Sequence, residues 1–269
     1  MIQIYPDLES LSRAAAARLV RQAEQAVAAR GRFGVALSGG RTPRRTYELL
    51  GQAPWKDQGP WDRTFVFWGD ERCVPLNDAR SNARLAREAW LDRVPIPRGQ
   101  VHPIECGAAP AAAAARYEAL LREFFGGGPP CLDLVLLGLG EDGHTASLFP
   151  GSPVLHEQQL WVAPVYVAEQ EFHRVTLTAP ILNQAAAVAF LVAGAAKAAV
   201  VREVLQGPRD PLRLPAQLIR PEAGELHWLV DAAAAGALEK SWLLREGAGG
   251  RQPLTILPSN SHPQPLKGE

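Results

Sequence analysis

The feature that most constrains the fold is the run Leu134-Val135-Leu136-Leu137, followed at once by Gly138-Leu139-Gly140-Glu141-Asp142-Gly143-His144. The apolar residues show no in–out alternation. A short run of that kind, ended by glycine, reads as a strand buried on both faces, the environment of a parallel sheet. The glycines beyond it allow positive φ and close approach of a ligand to the backbone. In an open α/β sheet, ligands bind outside the carboxyl ends of the strands. Glu141, Asp142 and His144 therefore stand where a ligand is expected. A lone loop carboxylate is most simply a solvated group. A histidine flanked by glycines at a buried strand's end points to function, because loops on a rigid scaffold carry binding and catalytic groups.

The same pattern recurs along the chain. Residues 8–30 have apolar residues every three or four positions and Gly31 to stop them, a helix. Residues 33–38 read as a strand running into Ser38-Gly39-Gly40-Arg41-Thr42-Pro43. Thr42 is the expected N-cap of a following helix and Pro43 fits its first turn. Such a junction gathers backbone N–H groups and a helix N-terminus around one point, a place for an anion, with Arg41 or Arg44 adding charge. It matches neither a Walker A motif nor GxGxxG, so a nucleotide is not implied. It is not GxSxG, so Ser38 is not read as a nucleophile. Residues 64–68 form a second strand, ending in Gly69-Asp70-Glu71-Arg72. Glu71 and Arg72 are explained by a surface ion pair; Asp70, directly after the glycine, is not. Ser81 or Asn82 caps the next helix. Residues 109–125 read as a helix, and 161–167, 174–178, 188–192 and 227–230 as strands. Pro180 starts a short helix. Lys197 falls in the first turn of a helix over 195–205, where a cation opposes the helix dipole unless it meets an anion. Strands alternating with helices predict a Rossmann-like α/β fold, a mostly parallel sheet with helices on both faces. Polar residues at three strand ends (Ser38, Asp70, Gly140) predict one cleft along its carboxyl edge. Residues 1–246 are expected to form a single domain and 247–269, rich in Gly, Pro and Ser, a loosely ordered tail.

Composition narrows the function. Lys+Arg and Asp+Glu are both 28, which argues against a nucleic-acid face. No run reaches membrane-helix length and the N-terminus lacks a signal pattern. Cys73, Cys106 and Cys131 contain no CxxC pair, and free thiols in a reducing cytoplasm are expected. No metal-ligand motif such as HExxH is present.

Four blocks, taken in order, carry a resemblance: Ser38–Pro43; Gly69–Arg72 followed by Ser81-Asn82; Gly138–Ser147; and Arg174–Thr178 with Gly194 and Lys197. They resemble the glucosamine-6-phosphate isomerase/6-phosphogluconolactonase family, on its lactonase side. The resemblance covers about residues 1–240. It implies the fold shared with glucosamine-6-phosphate deaminase and ribose-5-phosphate isomerase. It implies hydrolysis of 6-phospho-D-glucono-1,5-lactone in the oxidative pentose phosphate pathway, without a cofactor or metal. The implied partner is a phosphosugar lactone, handled in the cytoplasm by a monomer or small homo-oligomer. On this reading Ser38, Gly39, Gly40, Arg41 and Thr42 receive the phosphate, with Arg72 and Lys197 as cationic helpers. Asn82 and Arg174 also bind substrate. His144 is the base, a role suited to the side chain that titrates nearest neutral pH. Asp142 or Asp70 orients it. The related deaminases carry Asn-Glu-Pro shortly after the histidine, where this chain has Leu148-Phe149-Pro150. Phe149 has no proton to transfer, which favours lactone opening over ring isomerisation. A sugar-phosphate sensor would be expected to add a helix-turn-helix, whereas this chain is expected to start with the fold's first helix. His173 is read as a strand-edge residue.

Overall fold

The structure, a computed structural model, describes residues 1–107, 109–168, 171–239 and 254–256. Its main layer is a seven-stranded sheet in which every neighbouring pair is parallel. In chain order the strands are β1 (Ile2–Tyr5), β2 (Phe33–Leu37), β3 (Thr64–Trp68), β5 (Leu134–Leu137), β8 (Ala187–Val192), β9 (Glu225–Asp231) and β10 (Leu254–Ile256). Across the sheet the order is β10-β1-β9-β8-β5-β2-β3. The central strands β2, β5 and β8 are buried along their whole length, as their unbroken apolar runs require.

Among the described residues there are seven α-helices: α1 (Leu8–Arg30), α2 (Arg41–Leu50), α3 (Trp55–Gln58), α4 (Asn82–Ala89), α5 (Pro110–Phe124), α6 (Ala179–Leu182) and α7 (Ala198–Gln206). Helix α1 is capped by the Asp7 carboxylate on the Ser10 N–H and ended by left-handed Gly31. Its stripe of Leu11, Ala15, Leu19, Ala23 and Ala26 is buried, the 3.6-residue period expected of a helix facing a core. A strand precedes it: β1 pairs with β9, so the chain does not start with a helix. Ile2–Tyr5 is too short for its period to be legible.

From β2 the chain steps outward to β3, and it later returns to the other flank of β2 with β5. The order reverses between β2 and β5. Such a reversal opens a crevice at the strands' carboxyl ends, and it brings the turn after β2 beside the turn after β5.

A second sheet closes over this edge. It is antiparallel, in the order β4-β7-β6, from β4 (Asp70–Arg72), β7 (Phe172–Leu177) and β6 (Val162–Val167). Gly69 is the joint between the sheets. Its N–H donates to the Leu37 carbonyl at 2.8 Å and its carbonyl accepts from the Leu177 N–H at 2.7 Å. The register sets Asp70 opposite Thr176 and Arg72 opposite Arg174.

The expectation of three free thiols is corrected here. Cys73 and Cys106 form a disulfide, and Cys131 alone is free. The cysteines are 33 residues apart and meet because one follows β4 and the other precedes α5. No helix among the described residues is long and apolar enough to cross a membrane. Of the segment 247–269, only Leu254–Ile256 is described, as an edge strand paired with β1; the rest lies outside the described residues.

Candidate active site

The β2–α2 turn forms one wall of the site. Helix α2 starts at Arg41, with Gly40 at its N-cap in a positive-φ conformation (103°) and no side chain capping it. The expected cap, Thr42, instead lies within the first turn. The first-turn N–H groups of α2 are thus left without a side-chain partner, at the positive end of a helix. Ser38 is fixed from behind: its N–H donates to the Tyr47 hydroxyl at 3.1 Å, which donates to the Ser38 carbonyl at 2.8 Å. Burial pushes the Tyr47 hydroxyl pKa well up, so it remains a donor. The Ser38 Oγ is buried and has no hydrogen-bond partner among the described residues. A buried polar group of this kind asks for a ligand or water. Arg41 stands exposed at the rim, whereas Arg44 pairs with Glu48 at 3.2 Å, one turn along α2.

The second wall comes from β4 and the start of α4. Glu71, expected in a surface ion pair, is fully buried. It accepts from the backbone N–H groups of Arg72, Asn82 and Ala83, each at 2.8 Å, and from the Ser81 hydroxyl at 2.9 Å. Burial pushes its carboxyl pKa up, against the pull of those donors. A carboxylate at a helix N-terminus meets both its unpaired donors and its dipole, so Glu71 nails α4 to β4. Ser81, not Asn82, is the N-cap. Asn82 is buried, donates from Nδ2 to the Asp70 carbonyl at 2.9 Å and accepts from Arg72 Nη1 at 3.0 Å. Gly39 is required opposite it, because a Cβ there would sit 1.8 Å from Asn82 Oδ1. Asp70 accepts from the Ser147 hydroxyl at 2.6 Å and lies 3.5 Å from Arg174 Nη1. Burial lowers the Arg174 pKa, with Asp70 opposing that shift.

The third wall is the loop after β5. His144 Nδ1 lies 2.6 Å from Asp142 Oδ1, and the same oxygen accepts from the His144 N–H at 3.1 Å. Of the two candidate carboxylates, Asp142 holds the imidazole; Asp70 is engaged with Ser147, Asn82 and Arg174. Burial would raise the Asp142 carboxyl pKa, but the hydrogen bonds from His144 outweigh it and hold it below its usual value. Gly140 is obligatory, since a Cβ there would lie 2.1 Å from His144 Nδ1 and 2.3 Å from Asp142 Oδ1. Lys197 precedes α7 as its N-cap, after a single 3₁₀ turn, instead of lying inside the helix. Its ammonium is 3.7 Å from the Glu141 carboxylate.

These walls enclose a cavity of about 520 Å³, within the usual range for a small-ligand site. Ser38, Gly39, Gly40, Arg41, Thr42, Asp70, Arg72, Asn82, His144, Arg174 and Lys197 all line it. Asp142 does not; it stands behind His144. Two residues missed in the sequence are Ser147, which clamps Asp70, and Asp231. Asp231 lines the cavity and accepts from the Gly194 N–H at 3.0 Å and the Ala234 N–H at 2.7 Å. The signal for Asp231 was present, a charge at a strand's end, but the last strand was expected to stop one residue earlier. Among the described residues no three His, Cys, Asp or Glu side chains converge as a metal-ligand set.

Comparison with known proteins agrees with this geometry. Residues 6–228 match the model of the family described as glucosamine-6-phosphate isomerases/6-phosphogluconolactonase. The chain belongs to this family. A 6-phosphogluconolactonase of Nostoc sp. is 40% identical over 242 residues, covering 88% of this chain and 98% of that protein. The solved structure of 6-phosphogluconolactonase from Trypanosoma brucei superposes with a TM-score of 0.77 at 31% identity, covering 89% of this chain and 98% of that one. A monomeric glucosamine-6-phosphate deaminase shares the fold, with a TM-score of 0.75 at 20% identity over 88% of this chain and 99% of that one.

The family description names two chemistries, and position 149 is where they were expected to part. Phe149 puts an apolar ring against the catalytic candidate, its centroid 4.4 Å from that of His144. Position 149 itself supplies no carboxyl group.

Proposed function

We propose that this chain hydrolyses 6-phospho-D-glucono-1,5-lactone to 6-phospho-D-gluconate, the lactone-opening step of the oxidative pentose phosphate pathway. The observation that carries the reading is that two groups line one cavity. They are the Asp142-held imidazole of His144 and the uncapped N-terminus of α2 with the unpartnered Ser38 Oγ. The substrate has two matching parts, a reactive ester and a phosphate.

The ionised Asp142 accepts a hydrogen bond from the Nδ1–H of His144, which keeps that proton on Nδ1 and leaves Nε2 as the basic nitrogen. Nε2 takes a proton from water as the water oxygen attacks the C1 carbonyl. The tetrahedral oxyanion forms beside the cationic wall of Arg72 and Arg174, where preset positive charge stabilises it. The bond from C1 to the ring oxygen then breaks, and the imidazolium returns its proton to that oxygen as the C5 hydroxyl. The phosphate is received by the backbone N–H groups of 39–42, by Ser38 and Thr42, and by Lys197, which exchanges Glu141 for it. Asn82 orders this wall through Asp70 and Arg72. On this reading residues 1–246 are one lactonase domain, working as a monomer or in a small homo-oligomer. The substrate class places the enzyme with sugar-phosphate metabolism in the cytoplasm.

The test is acid release from freshly generated 6-phosphogluconolactone, with and without chelator, beside a glucosamine-6-phosphate control. Acceleration over the spontaneous rate, insensitive to chelator and with no ammonia from the control, is expected. Ammonia release would transfer the site to the deaminase chemistry. Binding of sugar phosphates with neither reaction would make the chain a sensor.

A further inference from the structure

We propose that Phe149 is a positioning residue for the base, a shelf that fixes the plane of the His144 imidazole. The proposal rests on the reading of His144 as the base.

The imidazole is not held by burial, since its side chain is 29% exposed. Its one side-chain hydrogen bond, from Nδ1 to Asp142, fixes the position of that nitrogen but leaves the ring free to swing about the bond. Nε2, the atom that must meet water, moves most in such a swing. The Phe149 ring removes that freedom by lying against the face of the imidazole, 4.4 Å between centroids and tilted by 34°. Phe149 also has Arg174 as a neighbour, whose guanidinium carbon is 5.3 Å from the centroid of its ring and 5.4 Å from that of Phe172. A cation prefers an aromatic face, so Arg174 helps to hold the phenyl ring in place. Phe149 does not line the cavity, so it acts through His144 and not on substrate. The preceding turn sets its place: the Leu148 N–H donates to the Thr145 carbonyl at 2.9 Å, and Leu148 is fully buried.

The experiment compares Phe149→Leu, Phe149→Tyr and His144→Ala, with kcat and KM measured separately and melting followed for each. Phe149→Leu keeps an apolar side chain but loses the flat face. It is expected to lower kcat about tenfold, as a small misplacement of a catalytic group does, with KM within about twofold and Phe149→Tyr restoring kcat. In the wild type, the His144 ring-proton resonances are expected upfield from the phenyl ring current, with the shift lost in Phe149→Leu. Wild-type kcat in Phe149→Leu, or a fall that Phe149→Tyr does not restore, would overturn the proposal and leave His144 as base. Absence of the ring-current shift in the wild type would do the same, even if the leucine variant failed to fold. Full activity in His144→Ala would remove the base itself, and the shelf with it.

Discussion

The two ends of the cleft are built from different materials. At the proposed phosphate end most of the groups are backbone N–H groups of a turn and a helix, locked from behind by Tyr47 and by the Asn82 side chain against Gly39. At the proposed base end they are side chains on a loop, with His144 and Asp142 partly exposed and held by two hydrogen bonds between them and one ring contact. The difference follows from the tasks. A phosphate is a fixed charge that needs several donors at once, and backbone provides them at no side-chain entropy cost. A base must lose and regain a proton, which only a titratable side chain can do. Damage to the base end should therefore appear in kcat, and damage to the phosphate end in KM.

The largest expected effect is at the base end. His144→Ala should lower kcat by about 10²–10⁴, the usual worth of a general base, with KM for the phosphorylated lactone little changed. A parallel rise in KM would show that the two ends are not separate. At the phosphate end, Lys197→Ala removes a single charged partner and should raise KM about tenfold, the equivalent of about 1.4 kcal/mol for one charge-assisted contact. The comparison sharpens with an unphosphorylated lactone, for which Lys197→Ala should be neutral. Equal effects on both substrates would take Lys197 away from the phosphate.

The phosphate end was the more legible in the sequence, because strand, glycines and helix follow one another within Phe33–Leu50 and local rules suffice. Even so the cap was misplaced. Gly40 takes the N-cap at φ 103°, and the capping preference of Thr42 gives way to a turn shaped for a ligand. The base end was legible as a histidine in a glycine loop, but not in its partners. Choosing Asp142 over Asp70 needed the second sheet, which draws Asp70 to Ser147 and Arg174 through contacts 77 and 104 residues away in the chain. Glu71 was misread for the same reason. Beside Arg72 it looks like half of a surface pair, and only the return of α4 onto β4 buries it. The disulfide was out of reach, since no spacing rule links Cys73 to Cys106. Five strands of the parallel sheet were readable, all but the short edge-side β1 and β10; of the antiparallel sheet β6 and β7 were read as strands, but β4 was not, because it has only three residues and its mate β7 comes about 100 positions later.

The disulfide belongs to this comparison because Cys73 follows Arg72 directly and its N–H donates to the His173 carbonyl at 2.9 Å. Cys73→Ser should lower unfolding stability by up to about 3–4 kcal/mol, the loop-closure value for a bridge of this span. KM should rise a few-fold with kcat nearly intact, since Arg72 lines the cavity proposed to bind the substrate. Urea midpoints of wild type and variant, with and without reductant, check the first part. A fall in kcat at constant KM would mean that the second sheet supports the base end instead.

The smallest expected effect is an absence, and it concerns Asp142. Burial works against its charge, the hydrogen bonds from His144 prevail, and its carboxyl is held below the usual value. The sign follows. A carboxyl depressed in the folded state contributes stability above its unfolded pKa and loses it only as pH falls through the lower, folded value. Asp142 therefore stays ionised across the whole range from about pH 5 to 8, near and above the ordinary carboxyl range. Neither stability nor turnover should change in that window through its protonation. The acid limb of kcat should then have the slope of a single proton. kcat is the quantity to follow, because the substrate phosphate itself titrates near pH 6 and enters kcat/KM. In Asp142→Asn the limb should remain single while kcat falls at every pH. A limb of slope two in the wild type would mean that the carboxylate and the imidazole titrate together, and that the base end is a coupled pair instead of one base held by a fixed charge.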